Sequence, residues 1–163
     1  AMATAGALIL VAGCAAYSGR TLVPGQSTSA DVEATMGPPA EKLERGGESI
    51  WYYPRGPSGW HSYAVRIAPD GVLRSVEQRL TAENFGKVIP GTSTASDVRE
   101  LVGPPFIVSR LPRLEREAWE YQMLDAGRKW KVWVQFSADG VVREVLRLQH
   151  PDEYSPNGHG HPQ

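Results

Sequence analysis

Residues 24–39 read PGQSTSADVEATMGPP, and residues 90–105 repeat the phrase as PGTSTASDVRELVGPP. Each copy predicts a short helix with its own start signal. Thr28 and Thr94 fit the N-cap position, and each is followed three residues later by an aspartate, which makes a capping box with Asp in place of Glu or Gln. The chain therefore contains an internal repeat that begins with a capped helix.

The sequence also predicts where each helix ends. Gly37 and Gly103 fit the left-handed C′ position, and the Pro-Pro pair after each glycine prevents the helix from continuing. The predicted helices are Ser29–Met36 and Ala95–Val102. Helices of this length are marginal alone in water, so each must pack against an apolar surface.

Three strands are predicted after each helix. Residues 130–136, WKVWVQF, alternate apolar and polar side chains, which is typical of a strand with one buried face. The Asp-Gly pairs at 70–71 and 139–140 predict hairpin turns. The matching strands are residues 50–53, 63–68 and 72–76 in the first copy and 118–124, 130–136 and 141–148 in the second.

The predicted fold class is therefore α+β, with two tandem repeats that each consist of a short capped helix followed by a three-stranded antiparallel sheet. The pattern leaves segments 42–47 and 106–112 open, either as irregular chain or as a further short strand. The predicted division is 1–13 signal-peptide remnant, 14–20 lipidated N-terminus and linker, 21–79 first repeat, 80–87 linker, 88–149 second repeat and 150–163 disordered tail.

Composition excludes some functions. Lys and Arg total 17 against 18 Asp and Glu, the net charge is −1, and the charges are mixed along the chain, which argues against a nucleic-acid-binding module. The sequence contains no GxSxG, HExxH or CxxC motif and no glycine-rich phosphate loop. We therefore expect no catalytic residues, no metal site, no cofactor and no small-molecule substrate.

Cys14 is the single cysteine, and residues 6–16 around it read GALILVAGCAA. A short apolar run that ends in small residues and a cysteine resembles a bacterial lipobox, in which the cysteine becomes a lipidated N-terminus. The alternative is a buried cysteine in an apolar helix or strand. Ala15, which is not an aspartate, predicts sorting of the lipoprotein to the outer membrane, facing the periplasm.

Two tryptophans are candidates for a protein-binding surface. The strand alternation places Trp133, beside Lys131 and Gln135, opposite the apolar face of its strand. Trp60 lies in a Pro- and Gly-rich loop near Arg55 and is the matching candidate in the first copy. The alternative is that a second layer of the protein covers these side chains.

The repeat resembles the SmpA/OmlA (BamE-like) family of outer-membrane lipoproteins. The motifs that carry the resemblance are a Pro-Gly turn, a helix that ends in Gly-Pro-Pro, a Trp-x-Tyr strand and a hairpin that closes on Asp-Gly-Val. They occur at Pro24, Gly37, Trp51 and Asp70, and again at Pro90, Gly103, Trp119 and Asp139.

The resemblance implies a non-catalytic lipoprotein that binds an envelope protein, such as a component of the outer-membrane β-barrel assembly machinery. The doubled unit also resembles the architecture of β-lactamase inhibitory protein. That second resemblance implies an alternative function, a periplasmic binding or inhibitor module with a different protein target.

Overall fold

The computed structural model describes residues 18–54 and 59–151, so Cys14 and Arg55 lie outside the described residues. The helices are α1 (Ser29–Met36), α2 (Ala82–Gly86) and α3 (Ala95–Val102), and a 3-10 turn spans Pro112–Leu114. The strands are β1 (Glu41–Arg45), β2 (Glu48–Pro54), β3 (Ser62–Ile67), β4 (Leu73–Gln78), β5 (Ile107–Leu111), β6 (Arg116–Asp125), β7 (Arg128–Ser137) and β8 (Val142–Gln149).

Two antiparallel sheets form, in the orders β1-β2-β3-β4 and β5-β6-β7-β8. The prediction of three strands per sheet was wrong, because the described residues form four strands in each sheet, and the extra strands fall in the segments that the sequence left open. The extra strand in each repeat, β1 or β5, follows the helix directly and pairs with the next strand along all five of its residues. Neither has a fully buried side chain, so the burial pattern that reveals the other strands is absent from both.

Both predicted N-caps are present with matching geometry. The Thr28 hydroxyl accepts a hydrogen bond from the Asp31 amide (3.3 Å), and the Asp31 carboxylate accepts one from the Thr28 amide (2.8 Å). Thr94 and Asp97 repeat this arrangement at the same distances. Hydrogen bonds from the threonine amide and hydroxyl lower the pKa of both carboxyl groups. The caps therefore stabilise the fold at pH values above the ordinary aspartate pKa. This contribution to stability is lost as the pH falls through the lowered pKa.

The helix ends differ from the prediction. Gly37 (φ 81°, ψ −172°) and Gly103 (φ 83°, ψ −170°) have positive φ but extended ψ, so neither is left-handed helical. Only glycine adopts this backbone region without strain, and it sends the chain directly into the next strand. Tyr53 and Tyr121 donate hydroxyl hydrogen bonds to the carbonyls of Gly37 and Gly103, each at 3.1 Å.

Each repeat has its own core, on the face of the sheet that its helix covers, which we call the inner face. In the first repeat, Val32 and Met36 of α1 pack with the inner face of β2–β4, including Trp51 and Val65. In the second repeat the inner-face cluster contains Val98, Val102, Trp119, Tyr121, Met123, Val132, Val134 and Phe136.

The segment predicted as a linker, residues 80–87, contains α2. Phe85 of this helix is buried, with its ring centroid 5.5 Å from that of Tyr121. Leu80 at the start of the segment and Val88 directly after its end belong to the same cluster. The segment is therefore part of the core of the second repeat and also connects the repeats.

The second repeat packs its helix on the opposite face of the first sheet, which we call the outer face of the first sheet. Arg99 of α3 binds the carboxylate of Glu41 through two hydrogen bonds, of 2.6 and 2.7 Å, and Glu100 forms an ion pair with Arg45. Ile50, Tyr52 and Ala64 on this outer face are fully buried. Helix α3 thus lies between the two sheets, and the repeats stack in one direction.

Within residues 18–54 and 59–151, none of the helices has the length and hydrophobicity needed to cross a membrane.

A candidate protein-interaction surface on the second sheet

The face of the second sheet that points away from α3 is the candidate site, and we call it the outer face of the second sheet. Paired residues in an antiparallel sheet project to the same side, so the strand pairing defines this face. Its central cross-strand row is Ile107, Glu120, Trp133 and Leu146, and the row beside it contains Gln122, Lys131 and Leu148. It is the counterpart of the face that α3 covers on the first sheet.

Trp133 lies at the centre of this face, as the alternation predicted. Its indole N–H donates a hydrogen bond to Glu120 (3.1 Å), whose second carboxylate oxygen is 3.0 Å from Nζ of Lys131. The Trp133 side chain is partly exposed and belongs to none of the buried clusters of the described chain. The Glu120 carboxylate therefore fixes the orientation of the indole while leaving part of it open to solvent.

Three exposed aliphatic side chains lie on the same face as Trp133, and the sequence reasoning missed them. Ile107, Leu146 and Leu148 are 46 %, 39 % and 58 % exposed. Leu146 is the direct cross-strand neighbour of Trp133, and Leu148 pairs with Lys131. The available signal was the run of apolar residues in both alternation phases of β8, from Val145 to Leu148, since only one phase can face the core.

Trp60 does not extend freely from its loop. Its ring centroid lies 5.2 Å from that of His150 and 5.4 Å from Nζ of Lys129, both at the end of the second sheet. Lys129 is in the same alternation phase as Lys131 and Trp133, so the loop of the first repeat reaches the outer face of the second sheet. The two candidate tryptophans thus belong to one surface, but Trp60 also has an intramolecular packing role.

Gln135 lies on the predicted face but is buried, with 6 % of its surface exposed, and its role in partner binding stays a prediction. Arg116 explains the burial, because its guanidinium donates a hydrogen bond to Gln135 (3.0 Å) and also forms an ion pair with Glu144 (3.2 Å). Arg116 and Glu144 are therefore the groups that solvent meets at this end of the face.

One cavity of about 540 Å³ lies near the end of β5 and is lined by residues that include Arg110, Arg116 and Ser137. The Ser137 hydroxyl donates to the Asp139 carboxylate within the β7–β8 turn. No cluster of three or more His, Cys, Asp or Glu suited to a metal ion occurs in residues 18–54 and 59–151.

Comparison with known proteins adds two distant likenesses. No protein-family model matches the chain. No curated protein sequence matches it. A DUF4309 family protein (YjgB) from Bacillus subtilis subsp. subtilis str. 168 is 18 % identical, with a TM-score of 0.31, over 79 % of this chain and 82 % of that protein. A "putative beta-lactamase inhibitor protein" from Streptococcus mutans is 11 % identical, with a TM-score of 0.29, over 75 % of this chain and 82 % of that protein.

Both TM-scores are below 0.5, so the architecture rests on the strand pairing and packing of this chain. Neither protein is described as an SmpA/OmlA lipoprotein, and that resemblance rests on the sequence motifs alone.

Proposed function

We propose that this chain is a protein-binding module without catalytic activity, and that its partner docks on the outer face of the second sheet. The observation that carries the proposal is the partly exposed Trp133, oriented by Glu120 and sharing its face with the exposed side chains of Ile107, Leu146 and Leu148. An ordered, partly exposed aromatic residue with exposed apolar side chains on the same face is typical of the energetic centre of protein interfaces.

Comparison of the two outer faces supports this proposal. On the first sheet, Glu41 and Arg45 of β1 form ion pairs with Arg99 and Glu100 of α3, and that face is covered. At the same repeat positions, 66 residues later, β5 has Ile107 and Leu111. The outer face of the second sheet thus has the same strand order as the covered face of the first sheet. Apolar residues take the place of the charged residues that bind α3 there.

The same comparison argues against head-to-tail stacking of copies of this chain. The residues of α1 that correspond to Arg99 and Glu100 are Glu33 and Ala34. Against Ile107 and Leu111 they would form neither of the two ion pairs that connect the repeats, and a Glu33 carboxylate placed against Ile107 would lose solvation without gaining a partner. We therefore propose a different protein as partner, one that presents apolar side chains to Trp133 and a polar rim to Lys131 and Glu144.

Alanine substitution of Trp133 should weaken partner capture. We expect bait protein carrying Trp133→Ala to recover at least about tenfold less of the partner from extracts of the source cells, because a buried interfacial tryptophan is typically worth 2 kcal/mol or more. Quantitative mass spectrometry of the captured proteins measures this. Trp51→Phe in the core of the first repeat is the control and should leave capture unchanged. Equal recovery by wild type and Trp133→Ala would contradict the proposal.

We further propose that Cys14 attaches the module to the outer membrane, facing the periplasm, where the partner would be an envelope protein such as a component of the β-barrel assembly machinery. This rests on the lipobox-like sequence at residues 11–14 and on the motif resemblance. The alternative is a periplasmic binding or inhibitor module. The uncovered sheet face suits this alternative equally, because such a module requires a protein target but no anchor.

Lipidation is directly measurable. Protein expressed with an intact signal should carry acyl chains on Cys14 and fractionate with outer membranes, and Cys14→Ala should be found in the soluble fraction. Two or three acyl chains should make the attachment stable, since one chain binds only marginally. Intact-mass spectrometry that shows an unmodified Cys14 in native protein would contradict the anchor and favour the unanchored alternative.

A further inference from the structure

Strand β5 forms an unusual sheet edge. One side of β5 pairs with β6, and its other side pairs with no strand among the described residues. Edge strands commonly carry charges that discourage pairing with other chains. The edge strand β1 has four charged residues of five, whereas β5, with the sequence IVSRL, has only Arg110. Ile107 and Val108 are 46 % and 53 % exposed, and Phe106 just before the strand is 44 % exposed.

The difference in charge between β1 and β5 is informative, because the two strands occupy the same position in their repeats. On β1, Glu41 and Arg45 bind α3, and Nζ of Lys42 lies 4.0 Å from the Trp51 ring centroid. On β5 the corresponding residues are Ile107, Leu111 and Val108. The first repeat therefore has a charged edge engaged within the chain, and the second has an apolar edge left open.

We propose that β5 pairs antiparallel with β5 of a second copy of this chain around a twofold axis at Ser109. In that register Ile107 lies opposite Leu111 of the second copy, and Val108 lies opposite Arg110. The two four-stranded sheets become one continuous eight-stranded sheet, and the twofold symmetry makes the contact isologous and closed. This pairing uses the backbone edge of β5, although it shares Ile107 and Leu111 with the proposed partner surface, and it is tested with purified protein alone.

The sequence of β5 suits a second copy as its occupant. The centred register places no charge directly opposite a like charge, because each arginine faces a valine whose surface its aliphatic stem can cover. Both Ile107–Leu111 pairs would bury apolar surface that is exposed in the single chain. A five-residue strand pair is much smaller than a standard interface, so the dimer should be weak and concentration-dependent.

The oligomeric state of the full chain tests the register. Sedimentation velocity over a range from micromolar to millimolar concentrations should show a reversible monomer–dimer equilibrium. Val108→Lys places a lysine opposite Arg110 twice per dimer, whereas Val108→Glu removes the same valine but creates two attractive pairs. We expect the dissociation constant of Val108→Lys to exceed that of Val108→Glu at least about tenfold. Thermal melts should show both variants folded, because position 108 is exposed.

Disulfide trapping tests the axis. Opposite residues of an antiparallel pair have Cα atoms about 4.5–5.5 Å apart, which a disulfide can span. In a Cys14→Ser background, Ser109→Cys should give a covalent dimer on mild oxidation. Leu43→Cys, at the matching position of β1, should give little. A chain that is monomeric throughout the range, equal dissociation constants for the two Val108 variants, or equal trapping at positions 43 and 109 would overturn the proposal.

Discussion

Gly103→Ala should lower the free energy of unfolding by about 2–6 kcal/mol, whereas Gly37→Ala should lower it by about 1–3 kcal/mol. Both glycines have the same backbone conformation at the end of equivalent helices, so both variants carry the same strain at positive φ. They differ in their surroundings. A Cβ on Gly103 would lie 3.2 Å from the Tyr52 ring and 3.3 Å from the Ser62 hydroxyl oxygen, while a Cβ on Gly37 would contact nothing within 4 Å.

Urea unfolding of the two variants beside wild type measures the difference, and Gly37→Ala serves as the matched control for backbone strain. The excess loss at Gly103, about 1–3 kcal/mol, reports the close packing of α3 on the first sheet. Equal losses for the two variants would mean that the repeats do not pack at this junction as described.

Trp119→Ala should cost about 3–5 kcal/mol of stability, as expected for a large core side chain. Trp119 is 7 % exposed on the inner face, and its ring centroid is 4.6 Å from that of Phe136. Trp133, on the adjacent strand but on the outer face, should cost only about 1 kcal/mol when changed to alanine, mainly through the lost hydrogen bond to Glu120.

Trp119→Ala and Trp133→Ala make the same substitution on opposite faces of one sheet, so their stability losses distinguish a core position from a surface position. Chemical denaturation followed by circular dichroism avoids the altered tryptophan fluorescence of the variants. A loss for Trp133→Ala as large as that for Trp119→Ala would assign Trp133 to the structural core and remove the central residue of the proposed interface.

The parts of the fold that local chemistry determines could be predicted from the sequence. The Thr-x-x-Asp spacing specifies the helix starts, and the alternation in β7 correctly separates Trp133 from Val132 and Val134. The sequence left β1 undecided, because EKLER has no buried side chain and the strand depends on pairing with β2 and on ion pairs with α3, 58 residues away in the case of Glu41 and Arg99.

Only part of the candidate site could be predicted from the sequence, for the same reason. Trp133 and Lys131 could be assigned to a face from β7 alone. The contact of Trp60 with Lys129 and His150, and the burial of Gln135 under Arg116, depend on how distant segments meet. The stacking of the repeats, which leaves one outer face covered and the other open, cannot be read from either copy by itself.

Site-specific photo-crosslinking tests whether a partner protein docks on the outer face of the second sheet. Benzoylphenylalanine introduced at Leu146, beside Trp133 on the outer face of the second sheet, is compared with the same residue at Glu77. Position 77 holds the matching place on β4 of the first repeat, and its side chain is 44 % exposed. After irradiation in the source cells, we expect a discrete product with a different protein from position 146 and none from position 77. No product at position 146, or the same product from both positions, would contradict this expectation.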